Sequence, residues 1–341
     1  MGVRVYFGTV VRTAPVPMGG ELSCHDWENK KIEGKIPIVP ENPNVEQDPN
    51  PRGNTRGCRG IQIIDNKVIA ANYHTLQFFD LNLNHVKDMS HGLMVGIHEI
   101  YTNSGEYIWV ASTAIDAALK LDLNSGSLIE SFWPREMSNL SMSYHLKPLD
   151  IDKEMDNRLN FLSSSHIKHP SHLHLNAIAE WRGHVYALLN SKGLIVDLTN
   201  DRVVIEDESL KGGHNLLILD NGYAFVNSNF KVNTVIIYDI NKRELLDTID
   251  LLKFNWIKWL YIKSLTFSLL KGKTVLRFRK TLKTARPLFL RGMDIIGDQL
   301  FLGLSPASIV CIDWRQKKLL DAYNYSMDIH VCVHGLKIYV T

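Results

Sequence analysis

The chain has 341 residues, 45% of them apolar, with seven tryptophans, which is ample for a large core in one all-β domain or two smaller ones. Its 38 Lys and Arg against 36 Asp and Glu give a net charge of +2, informative only through where the charges lie. Cys24, Cys58, Cys311 and Cys332 are far apart and form no CxxC pair, which argues against a zinc ribbon or thioredoxin-type motif, and no apolar run reaches the roughly eighteen residues of a membrane span.

From the start of the chain, MGVRVYFGTVV carries too short an apolar run for a signal peptide, so a cytoplasmic location is expected. Residues 3–11 read as a strand, and two more follow at 20–27 and 30–39. A Pro/Asn/Gly-rich connection then leads to a four-strand repeat: CRGIQIIDN, KVIAANYH, TLQFFDLN, HVKDMS. The clearest copy runs from His98 to Trp133, four short runs of β-branched and aromatic residues broken by Asn-Ser-Gly turns at 103–105 and 124–126. Further copies begin at His174, His214 and Arg291, and MDIHVCVHG with LKIYVT begins one more as an inner pair of strands. One such meander cannot bury both faces, so the copies must stack as blades. The chain opens on strands lacking an inner partner and ends on inner strands lacking outer ones. The expected fold is therefore an all-β, single-domain, six-bladed β-propeller whose N- and C-terminal strands share the closing blade.

Repeat starts at Arg59, His98, His174, His214 and Arg291 are separated by 39, 76, 40 and 77 residues. The doubled spacings could conceal two further blades, but residues 135–173 and 251–290 lack the strand-turn rhythm and read as insertions. The first is polar and Ser/His-rich, expected as a loop with a helical turn or two over one face; its His166, His169 and His172 read as loop residues. The second is basic, aromatic-rich and partly helical. Residues 251–286 hold ten Lys and Arg and no acid; subtracting ten from 38 leaves 28 basic against 36 acidic residues, so the rest of the chain is at −8. A basic aromatic segment on an acidic body suits an anionic membrane surface. Internal packing or oligomer formation would use the same residues, and nucleic acid is not expected as a partner.

In a propeller the inner strands line a central channel, and here Arg59, His98, His174, His214 and Arg291 open them, with His330 slightly deeper in the closing blade. The connections between second and third strands add His74, Ser112, Asp116, Asn190, Asn227 and Ser305 to the same face. His98, His174 and His214 are candidates for a divalent metal ion with open positions for substrate. Arg59, Arg291 and Arg56 could clamp a carboxylate, phosphate or sulfate. Asp116, or a histidine off the metal, is the candidate general base. The same polar residues also suit a water-filled channel with no ligand at all.

The motifs TRGCRGI (55–61), GIHEI (96–100), WVASTAID (109–116), HLNAI (174–178), GGHNL (212–216) and RGMDI (291–295) resemble those of uncharacterised bacterial six-bladed propeller proteins over nearly the whole chain. More distantly, the arrangement is similar to propeller lyases acting on uronates or streptogramins, which place histidines and a metal at the channel mouth. Blade number and motif spacing depart from those lyases. Two function classes follow: a metal-assisted lyase, epimerase or hydrolase acting on an anionic small molecule or sugar, and a non-catalytic ligand-binding or scaffold propeller, either in the cytoplasm or at a membrane surface.

Overall fold

The computed structural model describes residues 2–40, 55–162, 168–228, 233–271, 280, 285 and 287–341. His166, most of the connection between 40 and 57, and the basic stretch 272–279 lie outside them. The strands form six four-stranded sheets, and the fold is a six-bladed β-propeller. Five sheets are local meanders. Their inner strands are Ile61–Ile64, Ile97–Tyr101, Leu175–Trp181, Leu216–Ile218 and Arg291–Ile296. The sixth sheet takes its inner strand, Val331–Val340, from the C-terminus and its other three, Val3–Val11, Glu21–Asp26 and Lys31–Pro37, from the N-terminus. Pairing of the terminal strands runs from Val3 opposite Val340 to Val11 opposite Val331, with one bulge between Gly8 and Thr9, and this seam closes the ring.

The C-terminal segment differs from expectation. Instead of two short strands turning at His334-Gly335, it is one strand of ten residues. Gly335 is there for space: a Cβ on it would stand 2.2 Å from the Arg59 carbonyl oxygen. Its strand partner Gly8 meets the same constraint, since a Cβ there would lie 2.5 Å from Cys58 Sγ. The glycine pair thus lets residues 58–59 pack directly on the closing blade.

No strand occurs among the described residues of 135–173 or 251–290, which leaves six blades. The first insertion contains helix α1 (Ser138–Tyr144) and the second helix α2 (Asn255–Lys271). No helix among the described residues is long and apolar enough to cross a membrane.

Each blade ends its third strand on an aspartate: Asp26, Asp80, Asp122, Asp197, Asp239 and Asp313. In every case the carboxylate accepts a backbone N–H two or three residues on, as Asp80 does from Asn82 at 2.8 Å and Asp313 from Gln316 at 2.8 Å. These bonds reproduce one Asx turn six times and set the register of every outer strand.

By its internal contacts the chain divides into two compact units, Met1–Ile61 with Lys231–Val235 and Thr248–Thr341, and Gln62–Phe230 with Ile236–Asp247. In the first, Val5, Phe7, Trp27, Phe301, Ile309, Val333 and Ile338 form a core between the closing blade and its neighbour. Asp294 reinforces that contact by accepting from the Ile338 amide at 2.9 Å and from Lys337 Nζ at 3.0 Å. In the second, Trp109 packs with Leu140, Leu175, Ile178 and Val196, and a further cluster holds Leu188, Ile195, Val226, Ile236 and Tyr238. Burial of a large side chain such as Trp109 contributes about 2–3 kcal/mol.

Candidate functional site

Within the second unit three predicted histidines converge. The His98 ring lies 5.1 Å from that of His174, edge to face, and 5.9 Å from that of His214, stacked within 16° of parallel. His172, which the sequence marks as a loop residue, joins them with its ring 5.4 Å from His174. His98 opens into the blade within its inner strand, whereas His174 and His214 sit just before theirs. Among the described residues no three His, Cys, Asp or Glu stand so as to hold a metal ion.

Several residues expected to face a ligand instead hold backbone. Asp116 is fully buried in the left-handed conformation, and its carboxylate accepts from the amides of Leu173 at 2.9 Å, His174 at 2.8 Å and Leu175 at 3.4 Å. His174 is itself left-handed, at φ 55, so the carboxylate holds a conformation that a non-glycine residue resists. Arg135 stands 3.8 Å and His172 3.6 Å from Asp116. Burial nonetheless pushes Asp116 up to about 7, and it holds the neutral form of His172 by lowering its pKa to about 4.

Asn227 does the same work within its own blade, accepting from the His214 amide at 2.9 Å and that of Asn215 at 3.0 Å. Asn190 accepts from Gly212 N–H at 2.9 Å and donates to the Gly213 carbonyl at 3.0 Å. Ser112 bonds the Val95 amide at 2.9 Å, and Ser305 donates to Ile329 at 3.2 Å. His74 bonds Thr75 Oγ1 through Nδ1 at 2.7 Å, and burial lowers its pKa. A polar residue where the second strand ends is thus a recurrent clamp on an inner-strand entry.

The arginines belong to the first unit. Arg291 stands within electrostatic reach of Arg12 and Arg59, and burial first, then those two guanidiniums, hold its pKa well below the ordinary arginine value. Its guanidinium lies 4.7 Å from the Phe289 ring centroid, and that of Arg12 lies 4.8 Å from the same ring. Arg291 Nη1 also contacts His334 Nε2. Its Nε is closed to solvent and has no hydrogen-bond partner, although the residue as a whole is only half-buried. Among the described residues no carboxylate pairs with Arg291.

The predicted pair Arg59 and Arg291 is therefore joined by Arg12 and His334, neither of which the sequence singles out. Arg12 follows the first strand directly, and His334 is hidden by the expected turn. His330 instead bonds Asp328 at 2.9 Å, and Arg56 donates to the Ala14 carbonyl at 2.5 Å.

No protein-family model matches the sequence, and no curated protein does. In structure the chain is similar to a protein of unknown function from Bacteroides caccae, with a TM-score of 0.58 and 8% identity over 98% of each chain. It is less similar to the β-propeller domain of Myceliophteria thermophila Cps50 (Swd1), with a TM-score of 0.48 and 10% identity over 94% of this chain and 87% of the other. Likeness at such low identity is a likeness of fold alone; the sheet order and terminal seam make this chain a six-bladed β-propeller.

Proposed function

We propose that the protein is a ligand-binding propeller that takes a small anion, a carboxylate, phosphate or acidic sugar, at Arg12, Arg59 and Arg291. The observation that carries this reading is Arg291: a half-buried cation whose Nε is closed to solvent and unpaired, beside two others and without a carboxylate partner among the described residues. An isolated buried charge is unfavourable by several kcal/mol unless a counter-charge meets it. Guanidinium forks match a carboxylate or phosphate with paired hydrogen bonds. The closeness of His98, His174 and His214 supports a second reading, in which the protein is a lyase, epimerase or hydrolase whose imidazoles move protons on an anionic substrate. No step is assigned to a metal.

Calorimetric titration with inorganic phosphate and with glucuronate tests the first reading. The wild type is expected to release or absorb binding heat, and Arg291→Gln and Arg59→Gln to weaken binding at least tenfold, the loss of one charge-assisted pair. Absence of heat with both probes in the wild type, or equal binding by the variants, rejects it. Conversion of glucuronate to a new product, lost in His174→Ala, would establish the second reading.

A further inference from the structure

Helix α2 is apolar on two opposite sides. At about 100° per residue, Ile257, Leu260 and Ser264 fall on one narrow stripe, and all three are buried. Trp259, Ile262, Leu269 and Leu270 fall on an arc of about 100° facing the other way, and they are 49%, 64%, 50% and 82% exposed. Lys258 and Lys263 are exposed and flank that arc on its two sides. Lys263 Nζ lies 4.3 Å over the Trp259 ring, its stem folded along the aromatic face.

A helix that buries Ile257, Leu260 and Ser264 against its protein has no internal reason to carry four large side chains on its far side. Four such residues together form a patch, not the scattered exposure of ordinary surfaces. Their surroundings identify the occupant. The helix carries no acidic residue, and neither does the sequence from 251 to 286, whereas the rest of the chain is net negative. An acidic protein partner would be met by lysines, but it would not need Leu270 and Ile262 in water. A second copy would bring lysines against lysines. An apolar arc with tryptophan and lysine at its borders suits the boundary between acyl chains and anionic headgroups, where the ring sits at headgroup level and the ammonium groups reach phosphate.

We infer that the outward face of α2 docks the protein on an anionic membrane surface, with the helix axis parallel to the bilayer. At its C-terminal end Lys271 pairs with Asp328, in the loop before the last strand, at 3.5 Å. The inference is independent of anion binding at Arg291.

Co-sedimentation of the full chain with phosphatidylcholine vesicles, with and without about one-third phosphatidylserine, is the test. Binding is expected only with phosphatidylserine and is expected to fall as salt is raised. Lys258→Glu with Lys263→Glu should weaken it at least tenfold, and Ile262→Ser with Leu270→Ser should abolish it, with thermal unfolding midpoints unchanged because these side chains are exposed. Failure of the wild type to sediment with phosphatidylserine, or sedimentation of both double variants equal to that of the wild type, overturns the inference. So does a wild-type dimer in light scattering that Ile262→Ser with Leu270→Ser dissociates, which would give the face to a second copy.

Discussion

The clearest residue-scale finding is that a polar side chain at a mouth is not thereby a ligand. Asp116, Asn190 and Asn227 each spend their oxygens on backbone amides of an inner-strand entry. Removing such an acceptor strands buried donors, which is why these positions need Asp or Asn. His25 shows the converse, a titratable residue used as an aromatic. Both its ring nitrogens are buried without partners, and the ring packs 4.0 Å from Tyr323 and 5.7 Å from Trp27. Burial, then Lys30, lowers its pKa from 6.5 to about 4. Between those values the unfolded chain binds a proton that the folded one refuses, so the stabilisation is full above pH 6.5 and is lost as pH falls toward 4. The loss is on the order of 2–3 kcal/mol. Urea unfolding across that interval should show a shallower decline for His25→Phe than for wild type, with no loss of stability at pH 7. Parallel declines would show that His25 is protonated in the fold.

The element scale separates what periodicity reveals from what packing decides. All six blades and their order are legible in the sequence, because runs of β-branched and aromatic residues broken by turn residues recur at about 40 residues or, where an insertion intervenes, at about twice that. The aspartate ending each third strand is equally visible, in FFDLN, KLDLN, IVDLTN and IIYDIN, and is the stronger signature because it has a hydrogen-bonding reason. The last strand is not legible in the same way. His334-Gly335 has the composition of a turn, and only the approach of Arg59 to Gly335 shows that the glycine serves an extended strand. Gly335→Ala should therefore destabilise by about 2 kcal/mol or more, since backbone must move. Thermal unfolding of that variant measures it; a midpoint within about 1 °C of wild type would mean that the seam between the termini is slack.

At the scale of the whole molecule, the ring is closed by a seam whose two strands are separated by nearly the entire sequence, from Val3–Val11 to Val331–Val340. The candidate site was legible as residue types, less so as partners. Register alone brings His98, His174 and His214 together and pairs Arg59 with Arg291, because equivalent positions in stacked repeats face one way. Arg12 and His334 escape such reasoning, since they come from the closing blade, where the repeat is split between the two ends of the chain. The result is a cluster of guanidiniums around Phe289, with one of them costly to keep charged in the absence of an anion. If that cost is maintained for binding, replacing the charge by an apolar group of similar length should stabilise the empty protein and remove its response to anion. The most direct measurement is thermal unfolding of wild type and Arg291→Met with and without saturating phosphate. A higher midpoint is expected for Arg291→Met without phosphate, by the equivalent of on the order of 1 kcal/mol, and a phosphate-induced rise only in wild type. A lower midpoint for Arg291→Met together with no effect of phosphate on wild type would contradict it.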